Sequence, residues 1–262
     1  MFKNIVMTVV GVMALTTMST SQAIEQKDKF HHRTKTPKVN YDSLLTTATP
    51  LSQSQAGQQL VADCIAAYGG PEKLGALADY QLVYDFSSQL AGKSYDVIKT
   101  YRRGRCYRIE MRGERRMICG TASWYQDKDT LSTLSTGRYR RDLFSYLSLA
   151  MPLGIETERF DDVRYGERPD DPLAYIYLNK ADSLLTVVGI DRKTKMIRTT
   201  EGVVRLNDTN LIYINRFEDY EDHKGFLFPG EMTTISMGVE VGKGRLKEVK
   251  VNAGFGIDYF RP

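Results

Sequence analysis

Gln81-Leu82-Val83-Tyr84-Asp85-Phe86 decides the fold class. Leu82, Tyr84 and Phe86 fall on one side of an extended chain and Gln81, Val83 and Asp85 on the other, the two-residue period of a β-strand. Ala91-Gly92-Lys93 then turns the chain back. Strand-like segments follow at 95–102, 105–111, 114–119 and 124–125. Others follow at 160–167, 174–178, 184–191, 195–206, 211–220, 230–237 and 246–252. The joins between them are short and carry turn residues, such as Asp191-Arg192-Lys193, Asn207-Asp208, His223-Lys224-Gly225 and Gly242-Lys243-Gly244. Short joins make neighbours antiparallel, because a parallel pair needs a long crossover. The predicted domain is mainly β, an antiparallel meander.

Upstream of this stretch the period is helical. Leu60, Val61, Cys64, Ile65 and Tyr68 recur at three- and four-residue steps, an amphipathic helix that stops at Gly69-Gly70. Pro71 opens a second short helix through Leu74 and Leu77, so a helical hairpin leads the sheet. One further helix is predicted inside the meander over 142–150, with Asp142 as N-cap and Phe144 and Leu147 on its apolar stripe. Further upstream, residues 24–51 are rich in Lys, His, Thr, Pro and Gln and read as a flexible polar leader to a domain over 52–262. The start of the chain has Lys3, an apolar run from Ile5 to Leu15, and Ser21-Gln22-Ala23. That is the layout of a cleavable secretory signal over residues 1–23, too short for the ~20 apolar residues that span a bilayer.

A compartment reached by secretion allows disulfides. Cys106 and Cys119 are symmetric about Arg112-Gly113, and a tight turn there places them directly opposite on adjacent strands. A cross-strand disulfide is predicted; one residue of register slip would leave two free thiols instead. Cys64, on the helix stripe, reads as a buried thiol. The formal charge of +4, with 36 basic and 32 acidic residues intermixed, argues against a nucleic-acid partner.

Signals for catalysis are poor. His31 and His32 sit in the polar leader and His223 in a predicted turn, and none of the hydrolase, zinc or phosphate-loop motifs occurs. The acidic run Glu218, Asp219, Glu221, Asp222 is divided between two strand faces by alternation and reads as a solvated hairpin tip. No cofactor, metal site or catalytic residue is predicted. What the sequence supplies in quantity is aromatic side chains, 16 Tyr, 10 Phe and one Trp. Leu82, Tyr84, Phe86, Tyr107, Ile109, Ile118, Trp124, Tyr175, Tyr177, Ile212, Ile214, Phe226 and Phe228 are the candidates for one concave apolar face, with Phe144 and Leu147 over it as a lid. Such a face is either ordinary core or, where a curved sheet is incompletely covered by helices, the wall of a hydrophobic ligand cavity. Arg102, Arg103, Arg105 and Arg108 form a basic cluster able to coat an outer face or to meet an acidic or membrane partner.

Several short motifs, in order, resemble the LolA/LolB-like superfamily of periplasmic lipoprotein carriers and its outer membrane lipoprotein-sorting relatives. They are Ala66-Ala67-Tyr68-Gly69-Gly70-Pro71-Glu72-Lys73-Leu74, the step from Gly120 to Trp124-Tyr125, and Gly189-Ile190-Asp191-Arg192-Lys193-Thr194. Phe217-Glu218-Asp219-Tyr220, Gly225-Phe226-Leu227-Phe228-Pro229 and Val249-Lys250-Val251-Asn252 follow. The resemblance implies an unclosed β half-barrel plugged by helices, and a lipid, acyl chain or acylated protein held in its apolar interior. It implies a periplasmic, monomeric carrier without chemistry of its own. A non-catalytic scaffold that binds an envelope protein through the arginine-rich face, and an enzyme using Tyr84 or Asp85 on the same fold, are the alternatives.

Overall fold

The structure is a computed structural model that describes residues 39–89, 91–104, 106–120, 122–127, 130–133, 160–180, 184–206 and 209–262. The signal segment, Arg105 and the helix predicted over 142–150, with Phe144 and Leu147, lie outside the described residues.

Two helices precede the sheet as predicted. Helix α2 (Gln55–Ala67) starts at Ser54, whose hydroxyl accepts from Gly57 N–H at 3.0 Å. It ends where Gly69 takes a left-handed φ of 99°, and α3 (Gly70–Ala76) follows with Pro71 in its first turn. A third helix, α1 (Tyr41–Thr47), and a two-residue strand, β1 (Thr49–Pro50), come before them. The folded domain therefore begins upstream of Ser52, inside the segment read as leader. Asn40 caps α1, Tyr41 is buried, and Arg164 donates to the carbonyls of Leu45 and Ala48 at the helix end. A few anchoring contacts thus order a stretch whose composition is that of a linker.

All the described strands join one antiparallel sheet. Its first half is β2 (Asp79–Ser88), β3 (Lys93–Arg102), β4 (Cys106–Met111), β5 (Glu114–Cys119), β6 (Ala122–Asp127) and β7 (Thr130–Thr133). Its second half is β8 (Asp162–Glu167), β9 (Leu173–Lys180), β10 (Leu184–Asp191), β11 (Ile197–Leu206), β12 (Thr209–His223), β13 (Phe226–Ser236) and β14 (Val239–Val251). The order across the sheet is β1-β8-β9-β10-β11-β12-β13-β14-β2-β3-β4-β5-β6-β7. Neighbours are sequential except at two places, the edge where β1 pairs with β8 and the centre where the last strand pairs with β2, and β7 is not paired with β8. This is the unclosed half-barrel.

The curl brings distant strands together. Tyr84 on β2 donates its hydroxyl to Pro229 O on β13 at 3.0 Å, across the intervening β14. Gly242 and Gly244 lie inside β14, opposite Ser88 and Phe86, and do not form the predicted turn. A Cβ on Gly242 would stand 2.7 Å from the Phe86 ring, so side-chain-free positions let aromatic rings lie against the strand. The turn is at Met237-Gly238, both with positive φ, 51° and 79°.

The hairpin around Arg112-Gly113 is the one predicted. Both residues have positive φ, Met111 pairs with Glu114, and Cys106 pairs with Cys119. The two cysteines form a disulfide with Cα atoms 4.0 Å apart, the close approach of a non-hydrogen-bonded pair.

Two layers of core follow from the alternation. The concave face of the sheet packs with α2 and α3 through Leu60, Cys64, Tyr68, Leu74 and Leu77. The convex face of β9 to β12 packs with α1 through Tyr41 and Ala48.

Candidate functional site: the concave interior

Seven of the predicted apolar wall residues meet in the inner layer. Leu82, Tyr84 and Phe86 from β2, Tyr107 and Ile109 from β4, and Phe226 and Phe228 from β13 belong to one buried cluster. Ile118, opposite Tyr107 in the β4·β5 register, is buried on the same face. Strands β9 to β11 complete the wall with Ile176, Leu178, Val188, Ile190 and Ile197.

The remaining candidates are not brought to this face. Tyr175, Tyr177 and Ile212 pack in the outer layer beneath α1, and Ile214 stands opposite Glu201 on that side. Residues 173–178 are apolar without interruption, so alternation alone gives no phase; both faces of β9 are buried, and Ile176 and Leu178 are the inward pair. Trp124 pairs with Met117, which pairs with Arg108, and so lies on the convex side.

Tyr84 and Asp85, named for an enzymatic alternative, differ in setting. Asp85 is exposed on the convex face, whereas the Tyr84 hydroxyl is committed to Pro229 O and burial pushes its ionisation well above the ordinary tyrosine range. Burial likewise pushes the Cys64 thiol up to about 12, leaving it an inert apolar side chain in the core. In the acidic run, Asp219 has a positive φ of 50°, and it and Gly230 opposite are left out of a β12·β13 register that is otherwise unshifted from Glu218 to Tyr220. Among the described residues no group of three or more His, Cys, Asp or Glu side chains is placed to hold a metal ion.

The arginine cluster is largely used within the chain. Arg103 donates to Leu74 O and Leu77 O and so caps the end of α3. Arg108 pairs with Glu110 at 2.9 Å, donates to Tyr259 O and stacks on the Tyr259 ring at 4.3 Å. Arg102 is half-buried at the end of β3, opposite Cys106.

One inward residue was missed, although its signal was present. Along β3 the inward side chains are Tyr95, Val97, Lys99 and Tyr101, from their pairing with Phe86, Tyr84, Leu82 and Tyr80. The two-residue alternation along β3 that carries Tyr95, Val97 and Tyr101 carries Lys99 as well, which is not among the candidate wall residues. Lys99 is 5% exposed. Its ammonium meets the Met232 thioether at 3.1 Å and the Tyr84 ring face at 5.9 Å, and burial lowers its pKa to about 8.

Polar groups are also present on the far wall. Thr200, Asn215 and Thr234 stand side by side on β11, β12 and β13, and Thr234 Oγ1 donates to Asn215 Oδ1 at 3.0 Å. The Thr186 and Thr200 hydroxyls are buried and have no hydrogen-bond partner among the described residues.

Exposure falls along the interior from one end to the other. Tyr95, Met111 and Tyr213, near the β2·β3, β4·β5 and β11·β12 turns, are half-buried, whereas Tyr101, Tyr107 and Phe217 at the helix-covered end are buried. That covered end is tied to α2 by hydroxyls. Tyr68 donates to Tyr220 at 3.1 Å, Tyr220 donates to Ile197 O, and Ile197 N–H donates to Tyr68 at 3.4 Å.

No protein-family model matches the chain, and no curated protein is similar to it in sequence. Solved structures are similar in fold. A putative outer membrane lipoprotein-sorting protein domain from Vibrio parahaemolyticus shares 11% identity over 77% of this chain and 94% of its own, with a TM-score of 0.48. A LolA superfamily protein from Nitrosomonas europaea shares 12% over 78% and 97%, with a TM-score of 0.49. A DUF1329 family protein from Desulfovibrio piger shares 12% over 78% and 96%, also with a TM-score of 0.49.

Proposed function

We propose that the protein is a periplasmic carrier that shelters a lipid or acyl chain inside the half-barrel, without catalysing a reaction. The observation that carries this reading is the concave wall. One curled, unclosed sheet directs apolar side chains from both of its halves into a single interior, stoppered at one end by α2 and α3 and progressively less buried toward the other. An acyl chain taken into such an interior is stabilised by about 0.8 kcal/mol per buried methylene, so binding needs little polar recognition along the chain. The Cys106–Cys119 disulfide fits an oxidising compartment and the secretory signal read at residues 1–23.

Native mass spectrometry of the protein purified from the periplasm, followed by organic extraction, tests the reading. A stoichiometric lipid or acylated species is expected. A ligand-free mass that stays unchanged after incubation with membrane lipids would overturn it.

A further inference from the structure

A buried ammonium is costly unless a counter-charge accompanies it. Lys99 has none: among the described residues no carboxylate reaches it, and its ammonium is met by a thioether and a ring face. It has not been pushed out of the interior, although a β-strand offers an outward position one residue away on either side. It stands four residues inward from the half-buried Tyr95, about 14 Å along the strand. The side chain that it touches, Met232, lies two residues along β13 from Thr234, the near end of the Thr234-Asn215-Thr200 row. Arg116 and Glu114, opposite Ile109 and Met111 on the same face, stand beside one another toward the β4·β5 turn. Among the described residues Lys99 is thus the buried cation of this interior that has no carboxylate beside it, with several hydroxyl or amide groups at a similar depth. That is the arrangement of a site for an amphiphile entered headfirst.

We propose that the half-barrel binds a single-chain amphiphile by its carboxylate, with the carboxylate paired to Lys99 Nζ and the acyl chain directed past Val97 toward Tyr95 and Met111. This rests on the carrier reading above and names the chemistry of the ligand head. The carboxylate supplies the missing counter-charge, and in a low-dielectric interior such a pair is far stronger than at a surface. The Met232 thioether is a weak acceptor that a carboxylate oxygen readily replaces.

The test compares cis-parinaric acid, a naturally fluorescent fatty acid, with its methyl ester, on the intact protein and on Lys99→Met. The intact protein is expected to bind the acid about ten- to a hundredfold more tightly than the ester, the difference made by one charge-assisted hydrogen bond. Lys99→Met, close in length and apolar, is expected to bind both probes alike. Equal binding of acid and ester by the intact protein overturns the proposal without the need of any variant, and leaves the carrier reading standing. An undiminished preference for the acid in folded Lys99→Met also overturns it. If neither probe binds, the carrier reading fails and the proposal fails with it.

Discussion

Lys99 illustrates how a single side chain can run against stability in a place where it serves binding. Its ordinary pKa of 10.5 falls to about 8 because burial penalises the charged form. Between those values the unfolded chain holds a proton that the folded chain has released, so stability rises with pH from about 8 to 10.5. Below about 8 the group is charged in both states and the full burial penalty is present, at most about 3 kcal/mol from the size of the shift. Lys99→Met removes that penalty. The variant is expected to unfold at higher denaturant than the parent at pH 7, with the gain shrinking to nothing as the pH approaches 10.5. A pH series of denaturant melts checks both the sign and the window, and a variant less stable than the parent at pH 7 would refute the argument. The contrast with Arg168 is instructive. Burial opposes that charge too, but Glu201 takes it in a bidentate pair at 2.9 and 3.0 Å and holds the guanidinium above its ordinary value.

At the scale of elements, the β4·β5 hairpin is the piece most fully written in the sequence. Arg112-Gly113 sets the turn, the turn sets the register, and the register puts Cys106 against Cys119. The disulfide closes a loop with a sequence separation of 13, which in the chain-entropy account is worth about 3 kcal/mol. Replacing both cysteines with Ala is expected to lower stability by roughly that amount while leaving the far strands β9 to β12 unchanged, as read by denaturant melts and hydrogen exchange. Elsewhere local pattern runs out for identifiable reasons. Gly242 and Gly244 carry the composition of a turn, yet they serve to let Phe86 and Tyr84 approach β14, a fact that belongs to the partner strand. The phase of β9 is hidden because α1 covers its second face, and α1 was hidden in turn within a polar stretch, where only the Asn40 cap and the Tyr41, Leu44, Leu45 spacing betray it. Helix α2 depends on an equally non-local fit. A Cβ at Gly57 would stand 2.6 Å from Tyr165 Cβ on β8, so Gly57→Ala is expected to cost about 1–3 kcal/mol despite the better helix propensity of Ala. A melt that shows Gly57→Ala to be neutral would mean that α2 can shift away from β8 freely.

For the molecule as a whole, the decisive feature is that the sheet is sewn together at its centre by the first and last strands of the main meander. The half from β2 to β7 and the half from β8 to β14 meet at the β14·β2 ladder, and no other strand pair joins them among the described residues. The concave interior exists only while that ladder holds, since the wall takes Tyr84 and Tyr107 from one half and Ile176, Val188 and Phe228 from the other. The end of the ladder is fastened by buried Asp79, whose carboxylate accepts from Ala253 N–H at 2.7 Å and Gly254 N–H at 3.1 Å. Asn252 adds to the fastening by accepting from Ala78 N–H at 2.8 Å. The motif Val249-Lys250-Val251-Asn252 is therefore a clasp between chain ends far apart in sequence. Asp79→Ala leaves two backbone donors without their acceptor and is expected to cost about 2–3 kcal/mol. Because the clasp closes the seam, its loss should raise hydrogen exchange in β2 and β14 together and weaken retention of any bound acyl chain, while β6 and β7 keep their own exchange rates. Faster exchange confined to residues 252–254, with the seam and ligand retention unaffected, would show that the ladder holds the two halves without the clasp.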